Sequence, residues 1–136
     1  MGEPILSIER WLQTPLGSYL KAWEQAQCDA IVADLFGYHA LQLGLPDLHT
    51  LQTNRMPHRW LAVAHAPENF ETIPEAETLT PIDFVTDYTA LPFFENSLDL
   101  LVLPHSLELS ADPHATLREA QRVLVPEGKL LIISFN

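Results

Sequence analysis

The sequence predicts an α/β domain, a three-layer sandwich on a mostly parallel sheet, and three observations point there. Residues 98–103 (LDLLVL) and 130–135 (LLIISF) are apolar runs too short to stand as helices and rich enough in Leu, Ile and Val to be buried strands. Runs without a polar face suit a sheet covered on both sides. Between them lies a punctuated helix: Asp112 as N-cap, Pro113 at the first helical position, and Leu117, Ala120 and Leu124 on one face. Pro126 and Gly128 are expected to stop it. Strand, helix and strand within forty residues make a βαβ unit with parallel strands. Earlier short apolar runs, at 39–45, 59–65 and 82–86, supply three more strands.

In chain order, residues 1–13 form a short lead-in in which Trp11 and Leu12 can pack down. Thr14 and Pro15 then open a helix. Leu16, Tyr19, Leu20 and Trp23 recur at helical spacing, Ile31 and Leu35 continue that face, and Gly37 is a natural stop. The competing reading makes residues 30–32 a strand leading into a glycine loop. The first strand, 39–45, is followed by a short, weakly patterned helix over 47–56. After the second strand, 59–65, residues 66–81 are rich in Glu, Thr and Pro and read as a loop with a helical turn near 74–78. The third strand, 82–86, ends at Asp87. The whole is one domain, with a helical lead-in at 1–37 and an α/β core at 38–136.

Composition bounds the function. The net charge is −11, and between Trp60 and Leu117 there is no Lys or Arg. Such a surface repels a phosphate backbone, so direct nucleic-acid binding is not expected; a solvated acidic face is the simplest account. No apolar run approaches the length of a membrane span, and the N-terminus lacks the basic-then-apolar order of a signal peptide. The single cysteine, Cys28, excludes an internal disulfide, fits the cytoplasm and reads as a buried, inert thiol.

Residues 87–103, DYTALPFFENSLDLLVL, resemble the "D-A-x-x-L-P-F-x-D-N-S-F-D-x-V" stretch of class I S-adenosylmethionine-dependent methyltransferases. Residues 105–108, HSLE, resemble the "H-x-L-E" after the family's fourth strand, and residues 112–128 its "D-P-x-x-x-L-R-E-x-x-R-V-L-x-P-G-G". The likeness is continuous over about a third of the chain and is similar above all to the methyltransferase type 11 group. It implies a Rossmann-like sheet that this chain leaves after the fifth strand, without the terminal hairpin.

The resemblance also implies a site at the carboxyl ends of the strands. Gly44 matches the first glycine of the "L-D-x-G-C-G-T-G" turn, while Gln42 stands where the family has an acid and Leu45, Pro46 and Asp47 replace the remaining glycines. His65 occupies the place of the acid that bonds the ribose. Gly44 is implied near the methionine part of the cofactor, Asp87 and Tyr88 near the adenine, and Pro104 and His105 beneath the sulfonium. Tyr88 could equally stack on a purine or roof the core, and Asp87 could equally cap the next turn. His105 is the candidate base; its plainer reading is a residue hydrogen-bonded within its loop. S-adenosylmethionine is the expected cofactor, weakly held, because polar anchors are missing.

Six histidines (His39, His49, His58, His65, His105 and His114) form no i,i+4 pair and make no metal motif. Three functions follow: the cofactor-binding part of a methyltransferase with an unknown acceptor, a non-catalytic relative serving as an interaction module, or a binder of another adenine ligand. The run 129–135, KLLIISF, is β-prone and expected at a sheet edge, which predicts self-association as a homodimer.

Overall fold

The computed structural model of the protein describes residues 11, 14–65, 81–108 and 110–134. The elements run α1 (Pro15–Val32), β1 (His39–Leu43), β2 (His58–Val63), β3 (Phe84–Val85), β4 (Leu98–Pro104), α2 (Pro113–Val123) and β5 (Leu124–Ile133). The five strands form one sheet in the order β3-β2-β1-β4-β5, and every neighbouring pair is parallel. The expected α/β sheet is therefore present. Its strand order reverses between β1 and β4. The expected turn at 74–78 and most of the lead-in lie outside the described residues. Among those described, no helix is long and apolar enough to cross a membrane.

β4 lies between β1 and β5, and its apolar run is buried almost throughout because both faces are covered. On one face Leu41, Leu43, Leu101 and Leu103 pack against Ala120 and Val123 of α2. On the other, Ala40, Leu100 and Val102 meet Val32 of α1, Leu51 and Met56. Cys28, Leu45 and Leu48 form a third cluster, joined by Trp11, Leu131 and Ile133.

Three local expectations are corrected. α1 buries Gly17, Glu24, Cys28 and Val32, whereas Leu16, Tyr19 and Trp23 face solvent and the helix ends well before Gly37. Glu24 turns inward on the same face as Cys28 and Val32, which pack into apolar clusters, and there it pairs with His105. No helix forms over 47–56; the segment is a series of turns held by side-chain hydrogen bonds. Nor do Pro126 and Gly128 stop α2. The helix ends at Val123, Leu124 is already extended, and β5 begins there without a loop. Pro126 is tolerated because β5 is an edge strand and its register with β4 shifts between Leu98 and Leu100.

The block at 87–128 is a set of scaffold contacts. The Asp99 carboxylate on β4 accepts the N–H groups of Tyr38 and His39 at 2.8 and 3.1 Å. Glu119 of α2 accepts the Leu91 N–H at 2.5 Å and is gripped by Arg122, whose Nη2 also donates to the Leu91 carbonyl at 3.1 Å. Asn96 and Ser97 donate their backbone N–H groups to the carbonyls of Arg122 and Val123. These contacts set the loop after β3 against the end of α2.

Candidate functional site

β1 turns at Gly44, whose φ is +94°. Its N–H bonds the Ala62 carbonyl at 2.8 Å, so pairing with β2 runs one residue past the strand. A Cβ there would lie 3.0 Å from Tyr88 Oη and 3.2 Å from Ser106 Oγ. Glycine is what permits that φ and that approach together. Gly44 thus marks where the ends of β1 and β4 meet the turn after β3. Open parallel sheets hold their ligands at such a reversal of strand order.

Beneath the turn lies Gln42, fully buried. Its Nε2 is shared among the carbonyls of Gly44, Leu45 and Leu48 at 2.8, 3.0 and 2.9 Å. Its Oε1 accepts from the Thr50 hydroxyl at 2.7 Å and the Thr50 N–H at 3.3 Å. A carboxylate has no proton to give to three inward-pointing carbonyls, so an acid here would leave them unsatisfied. Gln42 therefore suits the Leu45–Pro46–Asp47 turn that it supports. Leu45 itself sits at φ +52° with its side chain buried against Cys28 and Leu48, which offsets a backbone strain of about 1–2 kcal/mol.

The remaining sequence-predicted residues are placed as follows. Asp87 is exposed, and its Oδ1 accepts the Thr89 hydroxyl at 2.7 Å and the Thr89 N–H at 2.8 Å. Those hydrogen bonds, the hydroxyl's first, hold its carboxyl below the ordinary range, so it is anionic and caps its own turn. Tyr88 packs against the cluster of Leu41, Leu43 and Ala62. Burial pushes its phenol up to about 12 against a hydrogen bond from the Ala64 backbone. His65 is exposed in the bend after β2, and Pro104 is the buried last residue of β4.

His105 does not open onto the crevice. It is fully enclosed, at φ +59°. Its Nε2 lies 2.9 Å from Glu24 Oε2 and its Nδ1 3.1 Å from Glu108 Oε1. Burial alone would push the imidazole down; the hydrogen bonds and charges of Glu24 and Glu108 together outweigh it and hold its pKa above the ordinary value. With carboxylates on both nitrogens it joins α1 to the end of β4 and has no lone pair turned towards a substrate.

Two residues of this region escape a reading of the sequence. Ser106 donates its hydroxyl to the Leu43 carbonyl, tying the turn after β4 to β1; its only signal is its place beside His105. Glu24 is signalled only by its four-residue spacing from Cys28 and then Val32 on the buried ridge of α1.

The family model described as "Methyltransferase domain" matches residues 41–132. The uncharacterized protein YafS of Escherichia coli K12 is 30% identical over 135 residues, covering 98% of this chain and 51% of that protein. The ubiquinone/menaquinone biosynthesis C-methyltransferase UbiE of Shewanella frigidimarina is 45% identical over 47 residues, 35% of this chain and 19% of that enzyme. Among solved structures, the "Complex between the Haloferax volcanii Trm112 methyltransferase activator and the putative methyltransferase" superposes with a TM-score of 0.65 at 25% identity, over 91% of this chain and 57% of that one. A SAM-dependent methyltransferase of Thermotoga maritima gives 0.60 at 18% identity, over 94% and 56%, and shares the fold. The chain spans about half the length of YafS and of these two structures.

Proposed function

The chain belongs to the methyltransferase domain family, and on that premise we propose that it is the cofactor-binding part of an S-adenosylmethionine-dependent methyltransferase. The single observation that carries this reading is the Gly44 turn, at positive φ, on the reversal between β1 and β4 of an all-parallel sheet. The residues fit the cofactor in chemistry. Gly44 has no Cβ to stand off a ligand, and Asp87 offers an anionic acceptor at the exposed rim. Pro104 and Ser106 close the floor between β4 and β1.

When bound, the sulfonium supplies an activated methyl group, so the protein's contribution is alignment and exclusion of water. Gln42 serves that end by holding the turn rigid from below. His65, exposed in the bend after β2, offers the adenosine a single imidazole in place of a bidentate acid. His105 anchors α1 to the strand end and moves no proton. The lead-in helix and the core then act as one domain. The acidic, cysteine-poor composition supports a cytoplasmic protein acting on an acceptor other than nucleic acid.

Isothermal titration of the parent and of Gly44→Val with S-adenosylmethionine and S-adenosylhomocysteine tests the reading. The parent should bind weakly, at about 0.1 mM or poorer, because each missing polar anchor removes about 1–3 kcal/mol. Gly44→Val should not bind. Equal binding by the two proteins, both melting cooperatively, would overturn it.

A further inference from the structure

Among the described residues, an aromatic side chain reaches across the strand ends to Gly44. Tyr88 starts from the turn after β3, and its ring packs on the apolar cluster of β1 and β2. Its hydroxyl meets the Ala64 backbone beyond the end of β2 and stops over Gly44, at the end of β1. A Cβ on Gly44 would be 3.0 Å from Tyr88 Oη and 3.9 Å from its Cζ, so the tip of the ring covers the face that the glycine leaves open.

The floor under that ring is fixed. Ser106 ties the end of β4 to Leu43, and Gln42 holds the turn through three carbonyls. Tyr88, by contrast, follows a strand only two residues long and is succeeded by the exposed Thr89 and Ala90. Rotation about its side-chain bonds, out over that exposed turn, would bare Gly44.

We propose that Tyr88 is the gate of this crevice: an adenosine-bearing ligand reaches Gly44 only by displacing the ring, and Tyr88 thereby sets its affinity. The inference rests on the S-adenosylmethionine reading and goes beyond it. The competing role, a fixed platform on which a purine stacks, requires the ring to stay and predicts the opposite effect of its removal.

Titration calorimetry with S-adenosylhomocysteine, on the parent, Tyr88→Ala and Tyr88→Leu, decides between them. Leu keeps apolar bulk against the cluster and removes the tip over Gly44, so it carries the test should the Ala variant not fold. The gate predicts binding at least tenfold tighter in the cooperatively melting variants than in the parent. Binding by the parent that is equal or weaker in both variants overturns the gate and leaves the cofactor reading standing. No binding by the parent or by either folded variant overturns the cofactor reading, and the gate with it.

Discussion

A Cβ added to Gly37 would lie 2.5 Å from the Cβ of Asp99. The glycine is what lets a carboxylate on β4 reach the N–H groups of Tyr38 and His39 just ahead of and at the start of β1. Its value lies in this approach, since α1 has ended at Val32. Gly37→Ala should therefore destabilise the fold by about 1–3 kcal/mol, the usual range for forcing extra carbon into a packed contact. Urea unfolding measures it, and an unchanged midpoint would show that Asp99 can retreat without loss.

The Glu24–His105 pair predicts a pH dependence of stability. The imidazole's pKa is raised on folding, so the folded chain holds this proton more tightly than the unfolded one. Its stabilisation is complete below the unfolded value of about 6.5 and is lost as pH rises through the folded value. The unfolding free energy should accordingly fall as pH rises above about 6.5, and Glu24→Gln should flatten that slope. Removing the acid altogether, in Glu24→Ala, should cost about 3 kcal/mol by leaving a buried cation short of a partner. Parallel slopes in parent and Glu24→Gln would exclude the pair as the cause.

Glu119 holds the loop after β3 through the Leu91 N–H. The Arg122 side chain, foremost, keeps its carboxyl below the ordinary range. Glu119→Ala should lose about 1–3 kcal/mol and speed hydrogen exchange at the Leu91 amide, while exchange in the middle of β4 follows only the global loss. If Leu91 exchanges no faster than the global change requires, the clamp is not what orders the loop.

β5 is an edge strand, and its Leu130 and Ile132 are 37% and 42% exposed. A β-prone edge with apolar side chains facing water invites a second strand. Light scattering at rising concentration should show the parent associating and Ile132→Lys remaining monomeric. A parent monodisperse throughout would count against pairing at this edge.

β4 was legible because it is a short apolar run buried on both faces, and α2 because Asp112 and Pro113 punctuate it where Ala120 and Val123 face the sheet. Other features could not be read along the chain. The buried Glu24 of α1 meets a histidine 81 residues away, and the 47–53 turns are held by Gln42, so neither leaves a periodic trace. The start of β5 was missed for a different reason: Pro126 and Gly128 signal a break in isolation, yet the edge position and the register shift absorb both. At the candidate site, the resemblance points to Gly44 and Tyr88 separately, and only the structure shows the two side by side. The approach of the Tyr88 hydroxyl to the glycine depends on pairing with β2 continuing one residue past β1, to Gly44.

Gln42 has a thermodynamic consequence. Glycine-rich turns are mobile, and a ligand that orders one gives up part of its binding free energy as lost conformational entropy. Here the three carbonyls of Gly44, Leu45 and Leu48 are already immobilised by one amide, so that entropy was surrendered when the chain folded. Any occupant of this crevice meets a preorganised floor, and its association should carry little ordering penalty beyond the release of a single aromatic ring.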